Sequence, residues 1–290
     1  MKAWFLIVFT GVMFASLGLC TKFLTTRGVD PMVCAAVPFA VSAVIAVGLH
    51  ARKPATPWRE GLALGAVGAA IPSLLFNIGF NRLPASVVTL TLALGPVFTA
   101  LAAHLAFHDD RFSPIKVAGL GLSFGGVALL AGMPAGSGSG STLAFVATLF
   151  GAALSGAALV WVRRMATRHD PMTVLTPLLT GAATVCVVTA SLTGHPLWNL
   201  GTDAFELGVL GAMGLGTIVT YVTSLKASEL AQASRVGLMG YLMPLVGVTG
   251  GVLLFDEALT PNLAVGGLLI LAGVTLVGRA NRSVALIPPG

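Results

Sequence analysis

The chain has 290 residues, 56% of them hydrophobic and only 9% charged, with a formal net charge of +6. Soluble domains carry about 25% charged residues, so a water-exposed globule is excluded: there are too few charges to cover it. The positive balance does not point to nucleic acid either, because the basic residues fall in short gaps between long apolar runs, the pattern of a chain that crosses a bilayer many times.

A bilayer core takes about 20 apolar residues per helix, and ten such runs follow one another. The first, 4–24, opens as "MKAWFLIVFTGVMFASLGLC". A leader ending at Cys20 is set aside because Leu19 is too large for a small-residue cleavage site; the stretch reads as a span, and it carries Phe14 and Ser16. The second run is 31–49. The third, 61–80, holds Pro72, Ser73, Phe76 and Asn77, and the fourth, 85–107, holds Thr89, Thr91, Pro96 and His104. The fifth is 114–132. A glycine- and serine-rich stretch, "PAGSGSGS" (134–141), reads as a flexible linker between a first unit, 1–133, and a second, 142–290. The sixth and seventh runs are 142–162 and 171–192. The eighth, 205–226, carries Thr217, Thr220, Tyr221, Ser224 and Lys226; the ninth, 231–255, carries Tyr241 and Pro244; the tenth is 261–279. The expected fold class is therefore all-α, a polytopic membrane protein of ten transmembrane helices.

Local signals agree with these edges. Asp30-Pro31, Ser113-Pro114, Asp170-Pro171 and Thr260-Pro261 each set a capping side chain before a proline. The cap oxygen accepts an orphan N–H, and proline at the first helical position has no N–H to strand. Trp4, Trp58, Trp161 and Trp198 fall near span ends, as interfacial anchors do. Three cysteines, Cys20, Cys34 and Cys186, have no metal or redox spacing and read as small buried hydrophobes. The pairs Gly61/Gly65, Gly121/Gly125 and Gly247/Gly251 have the spacing of tight helix contacts.

Ten spans put both termini on one side. With that side cytoplasmic, thirteen Lys and Arg lie inside, and only Lys22, Arg27 and Arg82 outside. The basic-inside bias thus places both termini in the cytoplasm.

The two units also resemble each other. "TRGVDPM" (26–32) meets "TRHDPM" (167–172), "ASVVTLTLALGP" (85–96) meets "ASRVGLMGYLMP" (233–244), and "DRFSP" (110–114) meets "EALTP" (257–261). Gly119 and Gly126-Val127 meet Gly266 and Gly273-Val274. Five helices per unit force the second to start on the opposite side, so the repeat is expected to be inverted, with a solute site where the units meet near midplane.

These features resemble a known family. The "LPAS…GP" segment of the fourth span, its echo "AQAS…MP" in the ninth, the "FDEALTP" connector and the "GGLLILAGV" ending resemble the drug/metabolite transporter superfamily, EamA type, over essentially the whole chain. Bacterial members include amino-acid and metabolite exporters, and the size and topology are similar to those of the aromatic amino-acid exporter among them. The resemblance implies a multi-pass protein of the bacterial inner membrane.

Ionisable groups inside spans are costly and therefore informative. Most acidic residues here sit at span ends, so no carboxylate relay is expected at midplane; this disfavours strong proton coupling through Asp or Glu and favours facilitated diffusion, with coupling through other groups as the alternative. His104 is the one histidine inside a span. Packing is the commoner fate of such a residue, and titration near neutrality is its functional attraction. Lys226 reads as a snorkelling residue, with a substrate-carboxylate role as the alternative. More persuasive are polar stripes. Thr217, Thr220, Tyr221 and Ser224 recur at three- and four-residue spacing and share a face; Ser73 and Asn77 do so beside Phe76 and Pro72. With Phe14, Ser16, Thr89, Thr91 and Tyr241 they are candidates for a solute cavity in which hydroxyls and amides neutralise a zwitterion and aromatics pack its side chain. Taken singly, each Ser or Thr has helix–helix hydrogen bonding as its commoner use. Mid-span prolines 38, 72, 96, 177 and 244 interrupt the helical ladder, and the repeat-related Pro96 and Pro244 are candidate hinges.

The expected function is secondary transport, most readily export of small metabolites such as amino acids by alternating access. Export of drugs, purines or cationic compounds, and uptake, are the alternatives. An intramembrane enzyme would need a positioned catalytic constellation that the spans do not offer, and no charged ring or filter marks a channel. No phosphate-cradling loop is present for ATP. No cofactor or metal is expected; the expected partners are a small solute and the lipid bilayer, not nucleic acid, with a monomer as the expected state and a dimer left open.

Overall fold

The structure, a computed structural model, describes residues 2–50, 57–106, 113–131, 139–166, 169, 171–195, 202–230 and 239–285. Its elements are α1 (Lys2–Thr26), α2 (Val33–His50), α3 (Trp58–Leu64), a π-helical turn (Gly65–Ala70), α4 (Ile71–Arg82), α5 (Ala85–Leu92), α6 (Gly95–Ala106), α7 (Pro114–Ala131), α8 (Ser139–Ala166), α9 (Pro171–Leu192), α10 (Ala204–Leu230), α11 (Met239–Phe255) and α12 (Pro261–Ala285). Eight helical stretches are long and apolar enough to cross a bilayer, and two shorter apolar helices, Val33–Leu49 and Leu242–Phe255, fall where the second and ninth spans are expected. The chain is an all-α polytopic membrane protein. Its outer face suits lipid: Leu192 is 83% exposed and Leu253 74%, which would be costly in water.

Three of the expected caps are in place. The Asp30 carboxylate accepts the Met32 N–H at 2.7 Å. Pro31 and Met32 form a turn, however, so α2 becomes regular only at Val33, two residues later than expected. Ser113 Oγ accepts the Lys116 N–H at 3.3 Å and Thr260 Oγ1 the Leu263 N–H at 3.2 Å. Asp170 lies outside the described residues. α1 and α9 end on Gly28 and Gly194, at φ +94° and +91°, the left-handed conformation that glycine enters without a Cβ clash.

The prolines act in three ways. Pro38, Pro177 and Pro244 sit inside continuous helices. Pro72 follows the π turn, in which the Ile71 N–H reaches back to Ala66 O; the wide turn relieves the clash of a proline ring with the carbonyl four residues earlier. Ahead of Pro96 the helix is broken by a turn at Ala93-Leu94, which separates α5 from α6.

In span numbers, the main packing pairs are first with eighth and ninth, sixth with third and fourth, second with eighth, seventh with third, and the pairs second–seventh, fourth–ninth and fifth–tenth. Adding or subtracting five maps this set onto itself. The fifth–tenth contact does so at residue level. A Cβ on Gly119 would meet Gly273 O and Val277, and one on Gly126 would meet Gly266 O and Ile270; the register that matches Gly119 to Gly266 and Gly126 to Gly273 exchanges these two contacts. Here the expectation for Gly121/Gly125 is corrected: both face open space. Gly61 and Gly65 do pack tightly, against Pro177 and Leu178 of α9, while Gly247 faces Thr89 and Gly251 faces Glu257.

Trp58 is exposed at the start of α3, whereas Trp161 is half-buried against the core cluster that includes Leu175 and Leu179. All three cysteines are free.

Candidate functional site

α10 packs between α1 and α2 because two glycines let it approach both. A Cβ on Gly216 would meet Leu17 and Met13 of α1, and one on Gly214 would meet Val41 and the Pro38 carbonyl of α2. The Ser42 hydroxyl fixes the second contact by reaching Pro38 O at 2.6 Å and Gly214 O at 2.8 Å. Further along α10, Tyr221 stands between two rings. It meets Phe14 of α1 edge-on at 6.2 Å between centroids and Phe39 of α2 at 6.4 Å. Each such pair contributes about 0.5–1.5 kcal/mol beyond the area it buries. Elsewhere along the α1–α10 contact, Thr10 Oγ1 donates to Thr223 Oγ1 at 2.9 Å, and Thr223 Oγ1 donates in turn to Val219 O at 2.8 Å.

Thr217 and Thr220 are buried on the same face of α10 and donate to Met213 O and Gly216 O, at 2.8 and 2.6 Å. Their protons are thus committed to their own helix, while each oxygen keeps a free acceptor position. Ser224 is half-buried one turn beyond Thr220. The structure therefore brings Phe14 and Tyr221 together and strings Thr217, Thr220 and Ser224 along the tyrosine's face. Ser16 is two positions from Phe14, about 200° around the helix, and donates to Val12 O at 2.9 Å.

The other candidates are engaged elsewhere. Asn77 is buried and donates from Nδ2 to Pro31 O at 3.1 Å, tying α4 to the start of α2. Phe76 lies against Gly151 of α8, and Ser73 is half-buried one turn before Asn77. Thr89 donates to Ala85 O at 2.9 Å and fills the notch at Gly247 of α11; Thr91, fully buried, donates to Val87 O at 2.8 Å. The break ahead of Pro96 is braced by α8: Thr99 Oγ1 reaches Gly95 O at 2.8 Å and Gly156 O at 3.0 Å. Pro244 is buried in an unbroken α11, and the Tyr241 side chain lies outside the described residues. His104 is half-buried in the last turn of α6, and Lys226 is exposed one turn from the end of α10.

Phe39, which completes the ring cluster, and Ser42, Thr10 and Thr223, which tie α10 to its neighbours, are not singled out by the sequence. Thr10 and Thr223 each carry a hydroxyl in an apolar run, which is a signal; that they face each other is not legible locally.

A second polar constellation occupies one end of the bundle. Arg27, after α1, pairs with Glu206 (Nε–Oε1 3.2 Å) and Asp203 (3.6 Å), and its guanidinium lies over the rings of Phe23 and Phe205. Asp203 and Glu206 close a capping box on α10: the Glu206 N–H donates to Asp203 Oδ1 at 2.7 Å, and the Asp203 N–H donates to Glu206 Oε2 at 3.1 Å. The sequence spells this as "DAFE", a signal that could have been read. Lys22 Nζ donates to Leu83 O at 2.7 Å. The Glu257 carboxylate, from the connector after α11, accepts the Ala85 N–H, the Ser86 N–H at 3.0 Å and the Ser86 hydroxyl at 2.6 Å.

Comparison with known proteins fits this architecture. The model of the EamA-like transporter family matches residues 1–132 and 142–279. An uncharacterized transporter of Archaeoglobus fulgidus is 24% identical over 96% of this chain and 99% of its own length. A probable terminal-alkyne amino-acid exporter of Streptantibioticus cattleyicolor is 28% identical over 82% of this chain and 80% of its own. A solved crystal structure superposes with a TM-score of 0.66 at 20% identity, covering 98% of this chain and 99% of the other, a likeness of fold. The chain belongs to the EamA-like transporter family.

Proposed function

We propose that this transporter exports small zwitterionic metabolites, amino acids above all, through a cavity between two inverted repeats that opens to each side in turn. The observation that carries the reading is the Phe14–Tyr221–Phe39 cluster with the Thr217 and Thr220 hydroxyls along the same face of α10. It joins α1 and α2 of one half to α10 of the other, where inverted-repeat transporters hold their solutes. Its groups are aromatic faces and hydroxyls with spare acceptor positions. They offer an ammonium group acceptors and ring faces, and an apolar side chain a surface to pack on. The packing set that is unchanged on shifting every span by five supports the repeat, and the exporter named among the relatives supports the solute class. The basic-inside charge count supports cytoplasmic termini, and the family resemblance supports the inner membrane of a bacterium.

A second reading, export of lipophilic cations, draws on the same three rings. A proteoliposome panel of labelled amino acids, purines and cationic drugs, run with and without a proton gradient, separates the two. Amino-acid flux independent of the gradient is the expected result. Flux of cations alone would overturn the solute class.

A further inference from the structure

We infer that Glu257 is the bolt of a gate at the end of the bundle that the charge count assigns to the outside, and that its release opens that end during transport. The inference deepens the transport reading and rests on it. Local sequence builds the bolt. α11 stops because Asp256 takes a left-handed conformation, φ +52°, which short polar side chains tolerate better than others. The turn is closed by the Glu257 N–H donating to Gly251 O at 3.1 Å. It folds the Glu257 side chain back over Gly251, where any Cβ would collide with the carboxylate. From that seat the carboxylate reaches across to the other half of the chain and accepts the first two N–H groups of α5 and the Ser86 hydroxyl. An ionised acceptor on the orphan donors of a helix start makes a strong, charge-assisted cap, and here the cap comes from 171 residues away.

Packing around it is closed. At the same end Lys22 of α1 holds Leu83 O, Phe80 of α4 lies against Gly18 of α1, and Leu19 of α1 lies against Gly250 of α11. α1 thus packs on α4 and α5 as well as α11, whereas among the described residues α8, its counterpart in the second half, makes no comparably extensive contact with α10 or α11. Among the described residues, then, the ends of α1, α4, α5 and α11 are drawn together on the Glu257 side. To open that end, α11 and its connector must part from the start of α5, and the three hydrogen bonds of Glu257 lie across that parting line.

The test reads accessibility, not flux. Thr21 is buried on α1, seven residues from Phe14 and so on the same face toward this end. In the full chain in nanodiscs, with the three native cysteines replaced by alanine, a Thr21→Cys reporter is labelled with a membrane-impermeant maleimide. Glu257→Gln, and independently Gly251→Ala, should each raise the labelling rate by about tenfold, while a Ser123→Cys reporter buried between α7 and α12 stays slow. An unchanged rate at Thr21→Cys in both variants would overturn the gate. A parallel rise at both reporters would overturn it too, since Glu257 would then be a general stabiliser. If labelling behaves as expected in a protein that moves no solute, the transport reading fails and the gate stands; flux with unchanged labelling sinks the gate alone.

Discussion

The ring of Tyr221 meets the ring of Phe14 edge-on, 6.2 Å between centroids, and so joins a helix of the second half to a helix of the first. Replacing Tyr221 by Phe keeps the ring and removes only the hydroxyl. The expected outcome is an unchanged melting temperature and a several-fold higher KM for the transported solute. Tyr221→Ala also removes the ring, and should cost about 3–5 kcal/mol of stability. Uptake kinetics with thermal unfolding in detergent distinguish the two; an unaltered KM in Tyr221→Phe would exclude the hydroxyl from solute contact.

Pro96 and Pro244 correspond under the proposed repeat, yet only the first stands at a broken helix. Pro96→Ala should let α5 and α6 fuse and slow flux strongly. Pro244→Ala, in a helix already continuous, should change it less. Equal and negligible effects in both would remove the hinge role.

The α7–α12 contact depends on backbone approach. Gly273→Ala would thrust a methyl into Ser123 and Gly119 O, an overpacking expected to cost about 1–3 kcal/mol. Gly121→Ala, on a face with open space, should leave stability within about 0.5 kcal/mol. Denaturation in mild detergent reads both.

Asn77 is the buried tie between α4 and the start of α2. Asn77→Ala strands the Pro31 carbonyl only if water cannot reach it, so the loss should be near the about 0.6 kcal/mol typical of interhelical hydrogen bonds in membranes. A melting-temperature drop of only a few degrees is expected, and a drop far larger would mean that Asn77 holds more of the fold than this one bond.

The proposed inverted repeat sets Gly28 and His169 in corresponding connectors on opposite sides of the membrane. Single cysteines placed there should label from opposite sides of intact cells or oriented vesicles. Labelling from one side would contradict the inverted repeat.

Most of the span pattern was legible because a bilayer imposes a length and a composition that few other constraints imitate. Caps at Asp30, Ser113 and Thr260 were legible for the same kind of reason, since a cap and its target lie within three residues. The start of α2 was misjudged because Pro31 can open a turn as readily as a helix. Glycine spacing misled at Gly121/Gly125: small residues at four-residue spacing permit close contact but do not say which face is turned to a neighbour. Least legible were the partners of Glu257 and Arg27. Nothing local to "FDEALTP" names Ser86 as the donor to Glu257, because that meeting is made by two chain segments far apart in sequence.

The π turn at Gly65–Ala70 gives the third span a spare residue. A turn of this kind holds one residue more than the α-helix would, so deleting one residue from it would restore regular geometry and leave Ser73 and Asn77 pointing where they do now. The same deletion upstream of Tyr221 in α10 would swing everything beyond it by about 100°. The third and eighth spans should therefore differ in tolerance of a one-residue deletion, and a chain that lost one residue at the π turn would keep the same faces inward.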